Sequence, residues 1–292
     1  AVPSMAAEEK SGGLAAPVAP PAPTVTKRGD YTPPAYLVGT VDLRFDLDDT
    51  GVATRVSSKL VVHRNADAPS GEAPLVLNGD KEMKPVEGSL KVNGTALSAD
   101  AFMVGPTGLT IPSVPSNDEF VVESTVEIAP SANKALEGLY MSGGNYCTQC
   151  EAEGFRRITY FPDRPDVMSV YTTTITGDKT LFPVLLSNGN CVESGDLEGG
   201  RHYVKYVDPW KKPSYLFAVV AGQLVSLDDE FVTCSGKTVT LRVWVRDGDL
   251  HKCGHAMAAL KNAMKWDEDQ YAREYDLDIF QILCVNDFNM GA

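Results

Sequence analysis

Three constellations in this chain have residue types and spacings that could do chemistry. The first is Cys147-Thr148-Gln149-Cys150, which has the C-x-x-C spacing of a redox pair or of half a zinc site. A redox pair needs its first cysteine at the start of a helix in a β-α-β setting, and structural zinc needs two further ligands nearby. Neither is evident around these residues. The second is His251 and His255, four apart on a helical period, so that their rings share a face as in the H-E-x-x-H zinc motif. The second position is Lys252 where that motif has glutamate. This removes the general base and sets a cation beside any dication, while Gly254 weakens the helix. An ordinary, partly exposed histidine pair is the better reading.

The third constellation runs from Gln149 to Arg164 and interleaves Glu151, Glu153, Arg156 and Arg157 with Phe155, Ile158 and Tyr160. On chemistry alone the balance favours a solvated strand edge whose salt bridges add little net energy. A functional site among these residues is the alternative left open.

The elements that position these residues read mainly as strands. Up to about residue 34 there is no apolar periodicity, and Pro17, Pro20, Pro21, Pro23, Pro33 and Pro34 forbid a regular helix or central strand, so this stretch reads as a disordered lead-in. Alternation then begins with Val41, Leu43, Phe45 and Leu47 and continues through Leu60, Val61 and Val62. Further strand-like runs are Phe120 to Ile128, Val170 to Ile175, Phe182 to Leu186 and Tyr215 to Leu224. Asn78-Gly79, Asn93-Gly94 and Asn188-Gly189 offer the positive-φ residues that tight hairpins require, and Leu90 to Leu97 is a strong hairpin candidate. Many short strands with no long helix argue for an antiparallel sandwich or saddle-shaped sheet over 35–223. The Asn93-Gly94-Thr95 sequon reads better as a turn than as a glycosylation site.

Past Gly222 the character changes. A strand at Val239 to Val245 precedes a helical period in which Leu250, Cys253, Met257, Leu260 and Met264 line one face, with Asp249 as the expected N-cap. A second apolar strand runs from Phe280 to Val285. The segment 224–292 therefore reads as the beginning of a mixed α/β domain.

Composition bounds the function classes. The 292 residues carry a net charge of -13, from 39 acidic against 26 basic side chains, which repels phosphate backbones and makes nucleic acid an unfavourable partner. The longest nearly apolar run, Tyr215 to Val225, is far short of the roughly 20 residues that cross a bilayer as a helix, so no membrane span is expected. Six irregularly spaced cysteines suit free thiols in a reducing compartment, either the cytoplasm or a chloroplast or other organelle stroma. Ala1 implies processing, by loss of methionine or of a transit peptide.

The run Thr148-Gln149-Cys150-Glu151-Ala152-Glu153-Gly154-Phe155-Arg156-Arg157-Ile158-Thr159 resembles the long signature of the aminopeptidase N (alanyl aminopeptidase) family of zinc metallopeptidases, in its bacterial and plant or algal form. The resemblance continues through Asp163-Arg164-Pro165-Asp166-Val167-Met168, Pro183 to Gly189, Gly199-Gly200-Arg201-His202 and Tyr215 to Gly222. It closes with Asp287-Phe288-Asn289-Met290-Gly291-Ala292 and covers roughly Tyr31 to Ala292.

That resemblance implies a β-saddle domain followed by the start of a thermolysin-like catalytic domain, in a parent enzyme that removes N-terminal residues from peptides. It implies that Glu151 is a buried carboxylate binding the substrate's α-ammonium group. Gln149 would line the first side-chain pocket, with Met290 as its adaptable apolar cushion. Gly291 and Ala292 match the first two residues of the G-A-M-E-N motif, whose backbone lies along the substrate. The zinc ligands, the general base and the oxyanion-stabilising tyrosine have no counterparts in the sequence. The chain is thus expected to be a truncated segment with no catalytic and no metal-binding residue, inactive alone, with zinc held in the full-length parent. The strand near Phe280 is expected to be covered by the remainder of that chain or by a partner. A noncatalytic scaffold subunit that reuses the saddle domain is the alternative, and a carbohydrate-binding sandwich would rest on fold alone.

Overall fold

The computed structural model describes residues 27–69, 71–285 and 288. By contacts between residues the chain divides into Ala1–Thr32 and Pro33–Ala292. The described part of the first unit holds one turn of 3-10 helix, Arg28–Asp30, in which the Lys27 backbone N–H donates to the Asp30 carboxylate at 2.9 Å. The expected lead-in lies outside the described residues as far as residue 26.

The second unit is mainly β, because period-two alternation gives each strand one apolar face to bury. Among the described residues its largest sheet has nine strands. In order they are Asn190–Asp196, Arg201–Pro213, Met168–Asp178, Tyr36–Asp46, Thr54–Arg64, Glu119–Ile128, Lys91–Val92 and Thr95–Ala96, with Lys84–Pro85 also on Glu119–Ile128. All pairings are antiparallel except the central one, where Tyr36–Asp46 runs parallel to Met168–Asp178. Val41, Leu43, Phe45, Val56, Leu60, Val62, Val122 and Val126 turn inward and are buried.

A four-stranded antiparallel sheet, Gly138–Ser142, Asn145–Gln149, Val219–Gly222 and Val184–Ser187, carries the Gln149 motif at the end of its second strand. A small sheet of Leu75–Asn78, Gly108–Ile111 and Met103–Gly105 lies elsewhere in the unit. The last sheet is Val225–Val232, Thr238–Val245 and Ile279–Leu283, with the third strand parallel to the second. Cys253, Met257, Leu260 and Met264, which are on the helix Gly254–Tyr271 and its lead-in, share a buried cluster with Val239, Leu241, Val243 and Val245.

Several sequence expectations change. The hairpin at Asn93-Gly94 forms with both residues at positive φ. By contrast, Asn78-Gly79 joins no hairpin: Leu75–Asn78 pairs with Gly108–Ile111, and Asn78 instead bridges Phe161. Gly189 has positive φ, yet the strands flanking Asn188-Gly189 pair with other partners. Tyr215 to Leu224 opens as the 3-10 turn Ser214–Leu216 before the strand Val219–Gly222, since Pro213 precedes it and Phe217 must reach the core. Asp249 makes no side-chain cap. Its carboxylate is taken by Arg246 and Lys252, and the chain after it begins as a 3-10 turn, which leaves Leu250 outside the buried face.

Candidate functional site

Gln149 ends the strand Asn145–Gln149, and a tight turn follows in which the Gly154 N–H donates to the Cys150 carbonyl at 2.8 Å. Within it the Gln149 amide donates to the Glu151 carbonyl at 3.0 Å, and the Glu151–Ala152 peptide is cis. Glycine is required at 154 because a Cβ there would overlap the Gln149 carbonyl and the Gly138 backbone nitrogen. Phe155 then drops into the core. It meets Phe161, Phe217 and Tyr171 edge-on at centroid separations of 5.1, 5.2 and 6.1 Å, the geometry that aromatic quadrupoles favour.

The two arginines are structural brackets. Arg156 gives its backbone N–H and Nε–H to one oxygen of the buried Asp163, each at 3.1 Å, and Nη2 to the Asp163 carbonyl at 3.0 Å. Arg157 approaches Asp80 at 3.6 Å and Glu137 at 3.3 Å. The Asp163 side chain is 1% exposed, so the Arg156 pair is not the solvated surface bridge that the residue types alone suggest. Asn78 completes the frame by accepting from the Asp163 N–H at 3.0 Å.

This frame presents a cleft of about 720 Å³. One wall is Cys147 to Glu151, a second is Tyr215 to Ala218 with Val220, and a third is Phe280 to Val285 with Phe288. Thr148 Oγ1 accepts from the Val219 N–H at 2.8 Å and donates to its carbonyl. Asn188 brackets the second wall, with Oδ1 accepting from the Ala218 N–H at 2.7 Å and Nδ2 donating to the Leu216 carbonyl at 3.0 Å. Sequence reading did not single out Asn188 or Phe288 as site residues; the Asn188-Gly189 turn signal was the available clue to the former.

The lining is mostly apolar, and among the described residues Glu151 is its only carboxylate and no lysine, arginine or histidine joins it. Glu151 is exposed, not buried as expected, whereas Gln149 is 5% exposed. Such a surface concentrates negative potential at one point beside apolar walls and favours a cation that carries an apolar group. Met290, Gly291 and Ala292 lie outside the described residues. A neighbouring cleft of about 500 Å³, lined by Asp49, Asn145, Phe182 and Arg246 among others, lacks the motif's carboxylate.

The other two constellations stay apart from this cleft's chemistry. Cys147 and Cys150 are free, buried thiols, and burial pushes both up, Cys150 well above its ordinary value. A thiolate nucleophile is disfavoured there. His251 and His255 are both exposed, and His251 Nδ1 lies 3.0 Å from the Gly248 carbonyl. Among the described residues no group of three or more His, Cys, Asp or Glu side chains could hold a metal ion, so these residues do not fit a catalytic zinc. Nor, among them, is any helix long and apolar enough to cross a membrane.

Comparison with known proteins finds similarity over most of the chain. Residues 77–216 match the Peptidase M1 N-terminal domain. Aminopeptidase N of Caulobacter vibrioides is 52% identical over 270 residues, which are 92% of this chain and 30% of that protein. Aminopeptidase N of Escherichia coli is 47% identical over 92% of this chain and 30% of its own length. The crystal structure of Legionella pneumophila aminopeptidase A in complex with aspartic acid superposes with a TM-score of 0.85 at 35% identity, covering 91% of this chain and 30% of that one. An M1 zinc metallopeptidase from Deinococcus radiodurans, bound to a Tyr-Ser-Ala substrate, shares the fold at a TM-score of 0.68 and 14% identity, over 88% of this chain and 58% of its own. The chain spans about 30% of the length of the curated relatives it matches.

Proposed function

The chain carries a Peptidase M1 N-terminal domain, and from that premise we propose that it forms the amine-anchoring portion of an aminopeptidase that removes N-terminal residues from peptides. The observation that carries this reading is that Glu151 is the one charged side chain among the described residues lining a largely apolar cleft. A free α-ammonium group is the cation that enters with an apolar first side chain attached. Glu151 holds the ammonium, Gln149 lines the side-chain pocket, and Met290, Gly291 and Ala292 complete the substrate's surroundings. Bound aspartic acid in the Legionella relative supports an amino acid as the occupant.

The saddle domain is assigned to 35–223 and the beginning of the catalytic domain to 224–292. Catalytic zinc and its ligands belong to the parent enzyme, and the 292 residues alone are expected not to hydrolyse peptides. The half-buried strand Ile279–Leu283 is the face that the rest of such an enzyme would cover. Six unbridged cysteines support a reducing compartment, cytoplasm or organelle stroma. The scaffold-subunit alternative is not favoured, since the relatives that match 92% of the chain are aminopeptidases.

The test is an NMR titration of the chain with L-alaninamide and with its N-acetylated form. L-alaninamide is expected to shift resonances of Gln149 and Glu151 while the acetylated form does not. Glu151→Gln is expected to weaken binding roughly 10- to 100-fold, the loss of a hydrogen bond to a charged group, with folding stability changed by less than about 0.5 kcal/mol. Equal binding of both ligands would overturn the reading, as would chelator-sensitive release of alanine from an alanyl-anilide by the chain alone.

A further inference from the structure

We propose that Asp163 is a positioning residue that fixes the spacing between the Glu151 wall of the cleft and the Tyr215–Ala218 wall. Its side chain is 1% exposed and divides its two oxygens between the walls. Oδ2 accepts from the Arg156 backbone N–H and from Arg156 Nε, both at 3.1 Å, immediately after the turn that holds Glu151. Oδ1 accepts from the hydroxyl of Ser214, itself 1% exposed, one residue before the Tyr215 wall begins. A carboxylate is costly to bury unless every bond it needs is made. Here the bonds run in two directions, to two segments far apart in sequence.

The neighbouring Phe155–Phe217 contact also links the walls, at 5.2 Å between ring centroids. Ring edges slide over one another at little cost, whereas hydrogen bonds weaken steeply as they bend. The carboxylate therefore sets the gap and the rings fill it. Asn188 holds the far end of the second wall through Leu216 and Ala218. The strand that follows the wall is tied to Thr148 through Val219, and the Ser214–Asp163 bond holds the wall's other end, at Tyr215, against the turn that carries Glu151.

Ser214→Ala is the informative variant, since Asp163→Ala would take from the Arg156 backbone N–H and Nε–H the oxygen they share and endanger folding. Hydrogen exchange on the 292-residue chain is expected to quicken in both 150–157 and 214–218 and to stay unchanged in the strand Thr54–Arg64. Affinity for L-alaninamide is expected to fall up to about tenfold, with the melting temperature lowered by no more than about 4 °C. A merely structural bond would lower the melting temperature and leave the affinity of the folded chain as it was.

The affinity arm rests on the amine-anchoring reading, and the exchange arm does not. If the wild-type chain fails to bind L-alaninamide but exchange quickens in both segments, the amine reading falls and the brace stands. If the wild type binds and Ser214→Ala alters neither exchange in 150–157 nor affinity, the brace falls and the amine reading stands.

Discussion

Two walls of one cleft are built to different standards. The turn from Gln149 to Arg157 is anchored by a fully buried Phe155, by a buried carboxylate and by a glycine with no room for a side chain. Across the cleft, every residue of Ile279–Leu283 is half-buried, and among the described residues only one edge of that strand is paired. The first wall is preorganised by contacts within the described chain, so a ligand that meets Glu151 need not order it. The second keeps apolar surface in reserve, which is the character of a face made to receive something.

The sharpest way to break this contrast is a pair of truncations. Phe155→Ala is expected to cost about 3–5 kcal/mol of stability, the usual loss for emptying a packed aromatic site, and Phe280→Ala no more than about 1–2 kcal/mol. Urea unfolding of both variants measures the difference, and equal losses would abolish the distinction. Gly154→Ala is expected to cost about 1–3 kcal/mol by pushing against the Gln149 carbonyl, and to shift the Gln149 amide resonances, which a remote destabilising change would leave in place.

A third prediction concerns alkaline pH. Burial pushes Tyr146, Tyr206 and Tyr275 up to about 12 and Tyr171 higher than its ordinary 10.0. Folded values lie above unfolded ones, so the contribution of these groups is fully present below pH about 10 and is lost as pH rises towards 12. Lys212, whose ammonium burial disfavours, works in the opposite sense, one group against four. Stability should therefore fall above pH about 10, and the share of the tyrosinate absorbance that belongs to Tyr146, Tyr171, Tyr206 and Tyr275 should appear only as the chain unfolds. Ionisation of that share before unfolding would mean that the core around these rings is open. The mildest test uses thiol reagents at neutral pH: Cys284, on the half-buried side, should react with Cys191 and Cys234, while Cys147, Cys150 and Cys253 wait for unfolding.

Strand existence was legible in the sequence wherever one face is buried and the other wet, as in Val41, Leu43 and Phe45, because alternation is a direct record of that asymmetry. Pairing was not. The Asn188-Gly189 turn looks like a hairpin because its chemistry is local, whereas the partners of its flanking strands are chosen by packing across the molecule. Asn78 illustrates the same limit: its turn-forming neighbour suggested a reversal, and its actual task is to hold Phe161 and Asp163. The residues of the Glu151 motif were recognisable as a pattern. The burial of Asp163, which converts an apparent surface bridge into a brace, depends on neighbours such as Ser214 and is invisible in spacing alone.

The parallel pairing of Tyr36–Asp46 with Met168–Asp178 at the middle of the large sheet has a kinetic consequence. Ser169 Oγ donates to the Val38 carbonyl across 131 positions of sequence, and the Asp46↔Thr176 register closes the same loop. A ribosome must release nearly all of that intervening chain before the sheet's central seam can zip, and loop closure of this length delays the reward of every contact beyond it. Until then the first two strands expose an apolar ribbon with an open edge to whatever else is in solution. Nascent chains halted before Met168 are accordingly expected to be aggregation-prone, and those extended past Pro213 to be protease-resistant.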